Sequence, residues 1–263
     1  DGKKRNGYYW TTARQLAHLK SADVIGAEAA RRALSRLGAS KPKTGNYPVV
    51  FSREASPALI GLLASCATAT ALWRQRSYLA DRLGSAIASP AVTLIDDPLL
   101  PGLLGSSAVD GEGRARRRNT LVEKGVLTQF LAAQYGANRT GLTPTASASR
   151  PLAGRPGEGT TNFYMAPGDH SPESLIAGID EGIYVEGTIG FGFNPITGDF
   201  SRGAFGRMIR AGQLAEPIAE FTVSASFDAL FGGIDAVGND LVWDRKTVCP
   251  SLRVRDMAVG GSG

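Results

Sequence analysis

Histidine and cysteine are scarce in this chain. Its 263 residues include only two histidines, His18 and His170, and two cysteines, Cys66 and Cys249. Neither histidine has a second one at helical spacing, so a zinc helix of the zincin kind is excluded. Two lone cysteines make no disulfide framework, which points to a reducing compartment and a cytoplasmic location. No apolar run is long enough to span a membrane, and no signal peptide opens the sequence. The Gly-x-Ser-x-Gly nucleophile elbow and the P-loop are missing too. Gly187 to Gly192 reads Gly-x-x-Gly-x-Gly, which is not the dinucleotide fingerprint, and no helix follows it to hold a pyrophosphate.

What is present is glycine, at 33 residues, together with 43% apolar and 20% charged residues. That composition suits a globular protein with many tight turns and antiparallel strands. The net charge is +5 and the pI about 9.4, which fits an acidic peptide, an acidic protein or nucleic acid as partner. The densest basic cluster is Arg114, Arg116, Arg117 and Arg118. No aromatic residue interleaves with it, so it reads as a solvated loop and nucleic-acid binding is not expected. Asp96-Asp97 reads as a strand-ending turn before Pro98 rather than a catalytic pair, because neighbours on a strand point to opposite faces.

Hydrophobic spacing predicts a helix from Ser21 to Leu37, a short strand from Pro48 to Phe51 and a second helix from Pro57 to Leu72. The second helix is nearly free of charge, so it should be buried on all sides. A strand over Val92–Ile95 and a hairpin over Thr120–Phe130 follow, the latter turning at Gly125. Residues 143–161 read as a long irregular loop, and Asn162–Met165 as a strand. Ser171 caps a helix running to Glu181. Strands are predicted at Ile183–Val185, Thr188–Phe193, Gly203–Arg210, Gln213–Ile218, Phe221–Ser224 and Ser251–Val259, with a short helix capped by Ser226. The predicted class is α+β, mainly antiparallel sheet around a buried apolar helix. Residues 1–45 form a helical lead-in and linker and 46–263 the core. Asp1 to Gly7 reads like a turn in mid-protein, as if a further segment preceded it.

The run Asn194-Pro195-Ile196-Thr197-Gly198-Asp199-Phe200-Ser201-Arg202-Gly203-Ala204 resembles the signature of TldE (PmbA)-type members of the TldD/PmbA family. Ala88 to Pro98, Glu123 to Leu127, Glu216-Pro217-Ile218, Ala236 to Asp240 and Pro250 to Val254 match other family segments in the same order. The resemblance covers nearly the whole chain and implies the family's C-terminal domain, with its N-terminal domain absent. It also implies a paired system, in which TldD-type subunits carry a His-Glu-x-x-x-His zinc motif and a later cysteine ligand. Here that motif would start near Ile60 or Gly61, and the residues are Ile60-Gly61-Leu62-Leu63-Ala64-Ser65-Cys66. Zinc needs three protein ligands to hold a catalytic water. Aliphatic side chains cannot supply them, and Cys249 stands too late to match the family's cysteine.

The resemblance therefore implies a subunit with no catalytic residues, metal or other cofactor of its own. It would work with a TldD-type zinc-bearing subunit, or as a homodimer, on unfolded peptides or modified-peptide precursors. The alternative is a peptide- or protein-binding scaffold with no part in proteolysis. Gly187, Gly190 and Gly192 are expected to let a peptide backbone approach a sheet edge. Asn194, Thr197, Asp199, Ser201 and Arg202 would supply polar groups to that peptide or to a partner, although Asn194 to Asp199 also suit a self-bonded hairpin turn.

Overall fold

The computed structural model describes residue 2 and residues 4–262. The turn read over Asp1 to Gly7 includes Asp1 and Lys3, which lie outside the described residues. In chain order a 3-10 turn (Leu16–His18) is followed by α1 (Ala22–Leu34), β1 (Gly45–Phe51), α2 (Ser56–Cys66) and α3 (Ala69–Trp73). β2 (Leu94–Asp96), β3 (Asn119–Glu123), β4 (Val126–Leu127) and α4 (Gln134–Thr140) follow. The middle holds β5 (Ala148–Ser149), β6 (Gly157–Glu158), β7 (Phe163–Met165) and α5 (Pro172–Ala177). The last third holds β8 (Glu181–Ile189), β9 (Asp199–Arg210), β10 (Gln213–Ser226), α6 (Phe227–Gly232), β11 (Ile234–Val237), β12 (Thr247–Val248) and β13 (Leu252–Gly260).

The fold is α+β and largely antiparallel. Its main sheet runs β1-β8-β9-β10-β13-β11, and β1 also pairs with β13. Because β1 has β8 on one side and β13 on the other, five strands close into a ring, with β11 added on β13. A second sheet runs β12-β7-β2-β3-β4. Two pairings, β1 with β8 and β12 with β7, are parallel. Alternation along β9 puts Phe200, Ala204 and Met208 into the main core, while Phe205 on the other face stacks under the Arg36 guanidinium of the α1 region at 3.8 Å.

Several elements depart from the periodicity reading. The apolar run from Pro57 to Leu72 is two helices, α2 and α3, broken at Ala67 and Thr68. Thr68 is extended and its hydroxyl accepts the amide of Ala71, capping α3, while Ala67 and Ala69 bond to Leu131. The backbone groups freed by the break are thus satisfied by the Thr68 cap and by Leu131. The helix after Ser171 stops at Gly178, and Glu181 already belongs to β8. β8 fuses two predicted strands and ends at Ile189, because Gly190 turns away at φ +89°. Gln213–Ile218 and Phe221–Ser224 are one strand, β10, with a bulge at Glu220 (φ +61°) instead of a break.

α2 is the core helix. Leu59, Ile60 and Leu63 are fully buried, each worth roughly 2–3 kcal/mol of apolar burial. Its first turn is held by the Ser56 hydroxyl, which donates to the carbonyls of Cys249 and Pro250. The helix is not buried all round, however. Ala58, Gly61, Leu62 and Ser65 are the partly or fully exposed positions, and their i, i+3, i+4, i+7 spacing makes a single open stripe.

Candidate functional site

The open stripe of α2 carries the segment aligned above with the zinc motif. Gly61 and Ser65 lie on it, and a side chain at Gly61 would meet no atom within 4 Å. Ile60 points into the core. The Ser65 hydroxyl donates to the Leu62 carbonyl at 2.6 Å. Cys66 is buried and its thiol is directed at the Pro195 carbonyl, 3.9 Å away. Burial pushes that thiol up to about 11. A catalytic zinc needs lone pairs from imidazole, carboxylate or thiolate. Ile60, Gly61 and Leu62 have none, Ser65 is spent on its own helix, and Cys66 is held as a neutral thiol. The segment does not fit a zinc ion. Among the described residues, no three His, Cys, Asp or Glu side chains are grouped to hold a metal. Cys249 is fully buried, with its thiol 3.9 Å from the Met165 sulfur and pushed up to about 12 by burial.

The turn after β8 is built against the end of this helix. Pro195 offers its carbonyl to the amide of Tyr78 at 2.7 Å as well as to Cys66, and Gly198 accepts the amide of Phe227. Within the turn, Asn194 Oδ1 accepts the amide of Ile196, and the Thr197 hydroxyl donates to Asp199 at 2.6 Å. Asn194, Thr197 and Asp199 thus bond their own loop. Ser201 pairs with the Ser224 hydroxyl across the ladder. Arg202 sits on the core-facing side of β9, with its buried Nε lacking any acceptor among the described residues and its guanidinium 5.9 Å from the Phe200 ring.

The glycines of this region have internal reasons. A Cβ on Gly187 would stand 2.4 Å from the Phe205 ring, and one on Gly192 would stand 1.6 Å from the Ser201 oxygen. Only Gly190 has open space. β8 is internal up to Val185, where β1 ends and Ser52 donates to the Val185 carbonyl. Beyond that point residues 187–189 ladder with β9 alone. At this open end Ile189, Phe191 and Ile196 are exposed, Phe191 to 96%.

A cleft of about 660 Å³ opens beside Ser65. Its walls come from α3, α4 and the loop entering β6, with Trp73, Tyr135, Glu112, Arg155 and Glu158 among them. Trp73 and Tyr135 meet edge to face at 5.6 Å, and the Arg139 guanidinium lies 5.2 and 5.4 Å from their rings. Gly136 permits this packing, since a Cβ there would strike Glu158 at 2.2 Å and Ala69 at 2.8 Å. Sequence reasoning missed the cleft. Its aromatic residues belong to separate elements, and the exposed Trp73 closes a run that reads as buried helix.

The other candidates fall elsewhere. His18 and His170 are exposed. Asp96 is buried and accepts both the amide and the hydroxyl of Thr161, while Asp97 accepts the amide of Leu99. The two carboxylates thus fix separate loops. In the basic cluster Arg114, Arg117 and Arg118 are exposed. Arg116 is half-buried and ties the carbonyls of Val109, Ala146 and Ala148 together, so it is structural rather than solvated. No helix is long and apolar enough to cross a membrane among the described residues.

Comparison with known proteins gives a consistent answer. Residues 44–261 match the family model described as PmbA/TldA metallopeptidase C-terminal domain. The chain is 31% identical over 261 residues to the metalloprotease PmbA of Escherichia coli O157:H7, covering 99% of this chain and 56% of that protein. It is 32% identical to a metalloprotease of Methanothermobacter thermautotrophicus, covering 94% and 58%. It therefore spans little more than half the length of these curated relatives. Among solved structures, TldE from Thermococcus kodakarensis superposes with a TM-score of 0.81 at 25% identity, over 91% of this chain and 55% of that one. A Thermotoga maritima protein described as a candidate modulator of a DNA gyrase gives 0.89 at 30% identity, over 99% and 60%. With its ordered motifs, its fold and its matched residues in agreement, the chain belongs to the TldD/PmbA family as a TldE/PmbA-type C-terminal domain.

Proposed function

We propose that this chain is the non-catalytic, metal-free subunit of a two-subunit zinc metalloprotease, acting with a TldD-type partner that carries the zinc. The observation that carries this reading is the donor-free stripe of α2, where Gly61, Leu62 and Ser65 stand in the zinc-motif segment. Catalysis would then need ligands and a general base from another chain. The substrate class is unfolded peptide or a modified-peptide precursor. The unladdered side of β8 from Gly187 to Ile189 supports this, because an extended peptide binds there through backbone bonds whatever its side chains.

The test is to mix the chain with a family member from the same genome that carries the His-Glu-x-x-x-His helix. Peptidase activity is expected from the mixture and from neither protein without the other. Stoichiometric zinc and peptide cleavage by this chain in isolation would refute the reading. For the strand-addition mode, Ile189→Ala and Phe191→Ala are suitable variants because both side chains are exposed. Gly190→Val is not a folding-neutral test, since φ +89° strains a β-branched residue.

The second reading is a peptide-binding scaffold without a protease partner. It is favoured by the cleft beside Ser65, which joins an exposed aromatic pair to charged side chains. A genome lacking any family member with the zinc helix would support it.

A further inference from the structure

The cleft beside α2 combines three features. It has an exposed aromatic pair, Trp73 at 39% and Tyr135 at 51% exposure, in edge-to-face contact. It has two carboxylates already engaged by backbone: Glu158 accepts the amide of Ala133, and Glu112 accepts that of Gln134. It also has guanidinium groups with no carboxylate partner. Arg74 and Arg139 contact the Trp73 ring at 5.8 and 5.2 Å, and neither they nor Arg155 makes an ion pair among the described residues.

Most arginines elsewhere in the chain are committed. Arg32, Arg82, Arg210 and Arg253 each hold an acid, and Arg116 holds three carbonyls. The cleft is thus a place where cationic capacity is left open next to aromatic faces that water solvates poorly. An arginine-backed indole presents its face to a further ring at little conformational cost. The uncommitted guanidinium groups attract carboxylates near that ring.

We propose that this cleft, which Ser65 of α2 borders, binds an extended acidic peptide segment by one aromatic side chain. The side chain packs on Trp73 and Tyr135, and flanking carboxylates of the peptide meet Arg74 and Arg155. The degenerate zinc helix then borders a binding subsite, with Ser65 on its rim. The proposal rests on reading the chain as a peptide-handling subunit, and it adds the side-chain class that the subunit selects.

The experiment uses the full chain without any partner protein, so its failure is separate from failure of the mixing assay. Fluorescence anisotropy is measured with a labelled peptide of alternating glutamate and phenylalanine. Two control peptides replace the phenylalanines with alanine or the glutamates with glutamine. Saturable binding of the first peptide is expected, with each control weaker by about tenfold or more, the scale of a lost aromatic or charge-assisted contact. Trp73→Ala and Arg155→Glu should each weaken binding by a similar factor, and Trp73→Phe should restore most of what alanine loses. Arg155 is an exposed loop residue, so that variant keeps the fold, and thermal melting of all variants checks this. Equal binding of the three peptides, absence of saturation, or folded Trp73→Ala and Arg155→Glu variants that bind like the parent would each overturn the proposal.

Discussion

The thiol of Cys66 and the carbonyl of Pro195 face each other at 3.9 Å, joining the last turn of α2 to the turn between β8 and β9. The same carbonyl takes the Tyr78 amide at 2.7 Å. In this chain the turn from Asn194 to Asp199 thus seats the hairpin on the end of α2. Asn194→Ala removes the side-chain acceptor for the Ile196 amide and should cost about 1 kcal/mol. Calorimetry should show a melting temperature lower by about 2–4 °C. An unchanged melt would mean that the turn holds without its side-chain bond.

Two glycines should respond in opposite directions to the same substitution. Gly206→Ala puts a methyl 1.9 Å from the Tyr184 carbonyl inside the ring of strands, so unfolding or a loss of several kcal/mol is expected. Gly61→Ala adds a methyl with no atom within 4 Å, in the middle of a helix. That change should stabilise by roughly 0.5–1 kcal/mol. Chemical denaturation of both variants decides the point, and a destabilised Gly61→Ala would show that the stripe is covered in solution.

The two cysteines should be silent to thiol reagents in the native chain. Both are buried, and burial pushes their thiols up to about 11 for Cys66 and about 12 for Cys249. The reactive thiolate is therefore scarce at pH 8 as well as inaccessible. A chromogenic disulfide reagent should find no thiol at first and two after denaturation. Rapid native reaction of one thiol would show that the α2 end opens.

α1 should lose a stabilising contribution in acid. Hydrogen bonds from Arg31 and then Arg32 pull the Glu28 carboxyl down to about 2. A depressed carboxyl contributes stability above its unfolded value near 4.5, and that contribution fades as pH falls toward 2. Glu28→Gln should therefore melt below the parent at pH 6, and the two curves should converge near pH 2. A constant difference across that range would assign the effect to packing and not to charge.

Much of the fold was legible because turns and caps are local. Ser171, Ser226 and Gly125 mark the starts and turns that the structure contains. Two of the misreadings share a cause, which is that tertiary pairing overrode local punctuation. Glu220 interrupts a pattern without ending a strand because β9 continues alongside. Thr68 breaks an apolar run because Leu131 offers its backbone there. The segment from Ile60 to Cys66 was placed against the zinc motif through the family resemblance, not from spacing or composition. The cleft beside it was not legible, since Trp73 and Tyr135 meet through the packing of α3 on α4, and nothing in their sequence separation announces that contact.

The closure of β1 onto β13 sets the order in which the molecule can be completed. Asn46 bonds Asp256 across that ladder, 210 residues further along the chain. During synthesis β1 leaves the ribosome some 210 residues ahead of its partner and waits, with one flank unpaired, until the strands between them have been made. Ring formation is accordingly an event of high contact order and slow by nature. The interval exposes the apolar flank of β1 to chance strand pairing, so chaperone demand should fall mainly on nascent chains that lack β13 and hardly at all on those in which β13 is in place.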